Sequence, residues 1–196
     1  MKSFKQFFLE QQSKYLILLP GGYKPPTKGH MHMIESYNNN PAVSKIIVLI
    51  GPKEREGITR DQSMQIFKLY GAEKLQKVTI EDTKFENPMQ AAFEYVEKDP
   101  RAEQYSGLTF AIGASNKGDD ALRSQRLVQY FQKYPERLKQ GLNVGIPPIV
   151  NALETSDGAV SATTLREAIR NKDLKTITKL IPNGVSPKEF LSILNK

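Results

Sequence analysis

Gly21-Gly22-Tyr23-Lys24-Pro25-Pro26-Thr27-Lys28-Gly29-His30 follows the apolar run Tyr15 to Leu19 after a single proline, and leads into Met33, Ile34 and Tyr37 at helical spacing. Strand, glycine turn and helix start form one unit. Two glycines at a strand exit let the backbone approach a ligand closely, and the helix N-terminus beyond them adds uncovered N–H groups and a dipole that favours an anion. Thr27 and His30 lie three apart, so at a helix start their polar atoms converge. The segment reads as a phosphate cradle. A Gly/Pro-rich turn carrying a surface histidine is the plainer reading of the same spacing.

Outward from this unit, further runs rich in Val, Ile and Leu lie at Lys45 to Ile50, Val78 to Glu81, Leu108 to Gly113 and Ile149 to Leu153. They are too far apart for hairpins and predict buried parallel strands, alternating with helices that cover both faces of a sheet. The helix starts are explicit. Thr59 with Gln62 forms a capping box ahead of Met64, Phe67 and Tyr70, Asn87 precedes Pro88, and Ser186, Pro187 and Glu189 open a last helix bearing Phe190, Leu191 and Leu194. Gln132 to Gly145 is polar and predicts a helix end and a loop, and Lys53 to Gly57 predicts a charged loop after the second strand. The expected organisation is an arm over residues 1–14 and one α/β domain over 15–196.

Composition narrows the chemistry. The chain has 196 residues, no cysteine, two histidines (His30 and His32) and a formal charge of +7. Without Cys or a Gly-x-Ser-x-Gly elbow there is no covalent nucleophile with its base, so an attacking group would have to come from a substrate. The basic excess favours anionic partners. Tyr15 to Leu19 is too short to span a bilayer, and Glu10 interrupts the stretch before it, so the expectation is a soluble intracellular protein without a membrane segment. Arg166, Arg170, Lys172, Lys175 and Lys179 allow an alternative, a non-catalytic nucleotide- or nucleic-acid-binding protein, although solvated helix faces explain them equally well.

The ten-residue string resembles the phosphate-binding motif of the nucleotidyltransferase superfamily, Gly-x-Phe-x-Pro-x-(His or Thr)-x-Gly-His directly after the first strand. Tyr23 stands at the aromatic position, Pro25 at the proline, Thr27 at the His-or-Thr position, and Gly29 with His30 at the end, while Lys24 replaces the Asp or Gln often found before the proline. Val160 to Arg166 is similar to the family's second motif, Ile-Ser-Ser-Thr-x-x-Arg, with Ala162 in place of one serine. Independently of the resemblance, Ser161 can cap a helix whose Leu165 and Ile169 face the core, with Arg166 one turn in.

The resemblance implies a Rossmann-like parallel sheet of about five strands in the order 3-2-1-4-5, with a C-terminal helical segment. It implies that Gly21, Gly22, the Tyr23 N–H, Thr27, Gly29 and His30 cradle a triphosphate, and that Ser161, Thr163, Thr164 and Arg166 hold its far end. Lys53 and Arg55 both follow the second strand, where adenylyltransferases of this type place a lysine. Gly113 and Ser115 stand near the Gly-x-Asp that binds ribose in many relatives, with Ser115 in place of the Asp; Asp119, Asp120 and Arg123 read equally as a solvated helix start.

The implied reaction moves a nucleotidyl group from ATP or CTP to a phosphorylated small-molecule acceptor and releases pyrophosphate. His30, Thr27 and Arg166 would be catalytic. Mg2+ would bridge phosphate oxygens with few protein ligands. Nicotinamide mononucleotide, phosphopantetheine and a phosphorylated alcohol or sugar are all candidate acceptors, and self-association is left open. An aminoacyl-tRNA synthetase fragment, which would share the Gly-His signature, is disfavoured by the chain's length. Phe4, Phe7 and Phe8 share a helical face in the arm, which is expected to pack back on its own domain. The arm also resembles the short targeting peptides of tailed myophages, which implies processing after Glu10 and a location in the host cytoplasm or the virion.

Overall fold

The computed structural model describes residues 14–116, 118–155 and 158–195. Phe4, Phe7, Phe8 and Glu10 of the arm, and Ser156 with Asp157, lie outside the described residues. Five strands form one sheet: β1 (Tyr15–Gly21), β2 (Val43–Ile50), β3 (Val78–Asp82), β4 (Thr109–Ile112) and β5 (Asn143–Val144). Every pairing is parallel and the order is β3-β2-β1-β4-β5, a Rossmann-like topology as expected.

Both faces of the sheet are covered, which is why its central strands are apolar without alternation. Leu16, Leu18, Ile47 and Leu49 point to one face and pack with α3 (Pro88–Glu97) and α4 (Asp120–Lys133) through Ala92, Val96, Leu127 and Phe131. Ile17, Leu19, Val48 and Ile50 point to the other. That face is closed by α1 (Lys28–Asn39), α2 (Arg60–Leu69), α5 (Ala162–Arg170), α6 (Leu174–Leu180) and α7 (Pro187–Leu194).

The helix starts follow their sequence signals. Thr59 Oγ1 accepts from the Gln62 N–H at 3.2 Å while Gln62 Oε1 accepts from the Thr59 N–H at 2.9 Å, which satisfies two N-terminal donors of α2 reciprocally. Asn87 caps α3 and Ser186 caps α7. Helix α7 docks on α2, where the Phe190 and Tyr70 rings stack at 6.4 Å and the Gln62 amide donates to the Ile193 carbonyl at 3.2 Å.

The fifth strand departs from the expectation. It is Asn143–Val144, inside the polar stretch read as helix end and loop, and not Ile149 to Leu153. Asn143 and Val144 pair with Thr109 and Phe110, and the Gly145 N–H continues the ladder to the Phe110 carbonyl at 2.9 Å. Pro147 and Pro148 have no N–H to donate, so pairing stops there. Beyond them, among the described residues, it resumes only as a single parallel bridge between Ser115 and Val150, while Glu154–Thr155 and Gly158–Ala159 form a separate antiparallel pair, β6 and β7. The Tyr37 hydroxyl holds the interrupted edge, accepting from the Ala114 N–H at 2.9 Å and donating to the Pro148 carbonyl at 2.8 Å.

Candidate active site at the strand ends

The glycine turn after β1 delivers the chain into α1 through Thr27, an extended residue that is 1% exposed and serves as N-cap. The Thr27 N–H donates to His30 Nδ1 at 2.9 Å, and Thr27 Oγ1 lies 3.1 Å from the same nitrogen. His30 therefore takes the part that Glu or Gln plays in a capping box. Because Nδ1 accepts a backbone N–H, the neutral ring carries its proton on Nε2 and presents a donor there. Tyr23 has a left-handed backbone (φ 52°), donates its hydroxyl to the Leu19 carbonyl at 2.8 Å, and sets its ring edge-on to His30 at 4.9 Å. Burial pushes its phenol well above the ordinary tyrosine range. Thr27, Tyr23 and His30 are thus locked together before any ligand arrives.

The second segment meets the first directly. Gly29 in the first turn of α1 leaves room for Val160, whose Cβ would lie 3.3 Å from a Cβ added at that glycine. Ser161 then caps α5, accepting from the Thr163 N–H at 3.1 Å. One turn in, Arg166 is 4% exposed, and each of its three guanidinium nitrogens donates one hydrogen bond. Its Nε donates to Glu56 Oε1 at 2.7 Å, Nη1 to the Lys24 carbonyl at 2.9 Å and Nη2 to Thr163 Oγ1 at 3.1 Å. Glu56, in the loop after β2, bridges to Arg170 as well at 2.7 Å, and these two guanidinium groups hold its carboxyl below the usual carboxylate range. Thr164 is exposed and lines neither of the two cavities at the strand ends.

Two cavities open at the C-terminal ends of the strands, the place where open parallel sheets bind ligands. One, of about 380 Å³, lies at the switch point between β1 and β4 and is lined by Thr27, His30, His32, Ser115, Asp120 and Asn151 among others. Ser115 is 3% exposed and donates to Asp120 Oδ2 at 2.7 Å, and Asp120 in turn pairs with Arg123 at 3.4 Å. His32 reaches the Asn151 carbonyl at 3.0 Å. Gly113, proposed with Ser115, is half-buried against core side chains: a Cβ there would lie 2.3 Å from the Leu19 side chain, so its lack of one serves packing.

The other cavity, of about 580 Å³, lies between the β1 and β2 exits and α5. Lys24, Lys53, Arg55 and Arg166 outnumber the carboxylates Glu54 and Glu86 on its wall and leave it net cationic, with Gly22, Tyr23 and His30 completing the inner side. Lys53 is exposed and pairs loosely with Glu86 at 3.7 Å. Gly21, the last residue of β1, accepts the Gly51 N–H at 3.0 Å and ties the two strand exits together. His30 lines both cavities.

Three residues at this site are not evident from local sequence. Lys24 stands there as a departure from the motif, Asp120 reads equally as a solvated helix start, and Glu56 belongs to a charged loop. Only Lys24 had a local signal, a charge set between a glycine turn and two prolines. Glu56 meets Arg166 across 110 residues of sequence, which no local pattern encodes.

No family model and no curated protein matches this chain. Solved structures do. It is similar to Plasmodium falciparum nicotinic acid mononucleotide adenylyltransferase complexed with APC, at 16% identity and a TM-score of 0.58, over 93% of this chain and 96% of that one. The same enzyme complexed with NaAD gives 13% identity and a TM-score of 0.59, over 93% and 95% of the two chains. At such identity the likeness establishes a shared fold over nearly the whole chain.

Proposed function

We propose that this protein is a nucleotidyltransferase that passes a nucleoside monophosphate from ATP or CTP to a phosphorylated small-molecule acceptor and releases pyrophosphate. One observation carries the reading: His30, held in a fixed tautomer by Thr27, lines two cavities of different character. The cavity toward β4 offers hydrogen-bonding groups suited to a nucleoside, with Asp120 and Asn151 as acceptors for hydroxyls. The cavity toward β2 offers cations suited to phosphate. A nucleotide seated in the first and an acceptor seated in the second meet at His30 and the N-terminus of α1. The names of the similar structures support an adenylyl donor and a mononucleotide acceptor.

In the reaction an acceptor phosphate oxygen attacks the α-phosphorus, forming a new P–O bond while the bond from the α-phosphorus to the bridging oxygen of the β-phosphate breaks. That electron pair leaves with pyrophosphate, and no proton need be taken from a phosphate dianion. The His30 Nε2–H, the α1 amides and Arg166 stabilise the charge that builds on the α-phosphoryl oxygens and the leaving group. A Mg2+ ion would come with the triphosphate, held mainly by phosphate oxygens, and would neutralise charge on the departing pyrophosphate.

Pyrophosphate release across a panel of triphosphates and phosphorylated acceptors tests the reading. Saturable turnover with at least one pair, slowed about 10² to 10³-fold in His30→Ala, is the expected result. No turnover with any pair, together with salt-sensitive DNA binding, would overturn it in favour of a nucleic-acid-binding module.

A further inference from the structure

Lys24 is as deeply buried as Arg166, at 3% exposed, yet its surroundings differ in kind. Its ammonium donates to the Gly22 carbonyl at 2.7 Å and the Gly51 carbonyl at 3.2 Å, and no carboxylate forms an ion pair with it among the described residues. An ammonium carries three donors. The third has no protein acceptor among the described residues, and Lys24 is one of the residues lining the cavity between the β1 and β2 exits. A buried charge held only by carbonyl dipoles is costly unless an anion arrives to complete it.

We propose that Lys24 binds the negative charge of the second substrate, a phosphomonoester oxygen, in the cavity between β1 and β2. This rests on the nucleotidyl-transfer reading and adds to it the residue that holds the incoming phosphate. Three features point the same way. Lys24 sits on the turn that leads to His30, so a phosphate on its ammonium lies on the transfer side of the cradle. Its own carbonyl is gripped by Arg166, so the backbone is fixed from the other side. The exit carbonyls of β1 and β2 aim its Nζ without neutralising it.

Burial, reinforced by Arg60, lowers the Lys24 pKa to about 8, with Asp61 acting in the opposite sense. The ammonium is therefore largely protonated at neutral pH and is lost as pH rises through that value, whereas a bound anion favours the protonated form and moves the midpoint up. The charged groups around it are Arg60 and Asp61 at the start of α2, Arg166 of α5 with its partner Glu56, and Lys53, Glu54, Arg55 and Glu86 on the rim, with His30 opposite.

Calorimetric titration of the full chain with sodium sulfate, whose charge is constant between about pH 6.5 and 9.5, tests this without requiring turnover. Wild-type affinity should fall as pH passes 8, and Lys24→Met should bind about tenfold more weakly at neutral pH with a flatter profile. Should that variant fold poorly, the ε-carbon resonance of Lys24 in the wild-type protein provides the second reading, its titration midpoint rising on saturation with sulfate. Wild-type sulfate affinity and pH profile in Lys24→Met, or a Lys24 midpoint that sulfate leaves unmoved, would overturn the proposal. Either result would stand whether or not pyrophosphate is released, so it is separable from failure of the transfer reading.

Discussion

The two cavities flanking His30 differ in what their walls leave unsatisfied. Toward β4, charge is settled within the protein: Ser115 donates to Asp120, Asp120 pairs with Arg123, and His32 meets a backbone carbonyl. Toward β2, two buried cations touch through one residue, Arg166 gripping the Lys24 carbonyl, and only Arg166 has a carboxylate. A wall of neutralised polar groups reads hydroxyls and amides by geometry, whereas a wall with surplus positive charge reads anions by field. On the proposed reading, the contrast assigns the nucleoside to one side and the incoming phosphate to the other, with His30 at the boundary.

Changes at the boundary should be the most damaging. His30→Ala removes the donor common to both sides, and kcat should fall about 10² to 10³-fold with either substrate varied. A loss confined to the KM of one substrate would place His30 in a single cavity. Arg166→Ala takes a buried guanidinium from the phosphate side and should cost about 10²-fold in kcat/KM. Because it also frees Glu56 and the Lys24 carbonyl, the variant's urea unfolding must be measured beside its kinetics.

Smaller effects discriminate between the sides. Asp120→Asn should raise the KM for triphosphate by about five- to tenfold and leave the acceptor KM near its original value, as expected for loss of one charged acceptor. Equal effects on both substrates would blur the division. Glu56→Gln should act in the opposite direction. Glu56 occupies the Arg166 edge that a phosphate would use in the cavity toward β2, so removing its charge should tighten binding of the phosphomonoester acceptor about two- to fivefold, measured by calorimetry. Weaker binding instead would show that Glu56 positions Arg166.

Much of this was legible from local sequence, and the reason is that local geometry dictated it. The strand, glycine turn and capped helix over Tyr15 to Tyr37 are set by residues within a few positions of one another, as are the caps at Thr59, Asn87, Ser161 and Ser186. The strand at Asn143–Val144 was hidden because nothing in two half-polar residues says strand; their pairing with Thr109 and Phe110 does. Ile149 to Leu153 looked like a strand from composition, yet the prolines before it leave only the Val150 bridge. The candidate site divided in the same way. Thr27 with His30 could be read three residues apart, whereas Glu56 with Arg166 and Ser115 with Asp120 needed the fold or an unusual turn to bring them together. Gly113 shows the converse, a motif-like glycine whose neighbours are core side chains.

The most direct test is whether both cavities fill at once on one molecule. Calorimetry with a non-hydrolysable triphosphate, then with a phosphomonoester added to the saturated complex, should show one equivalent of each bound together, with both affinities weakened in His30→Ala. Mutual exclusion of the two ligands, or an unchanged pair of affinities in that variant, would contradict a transfer centre built across His30.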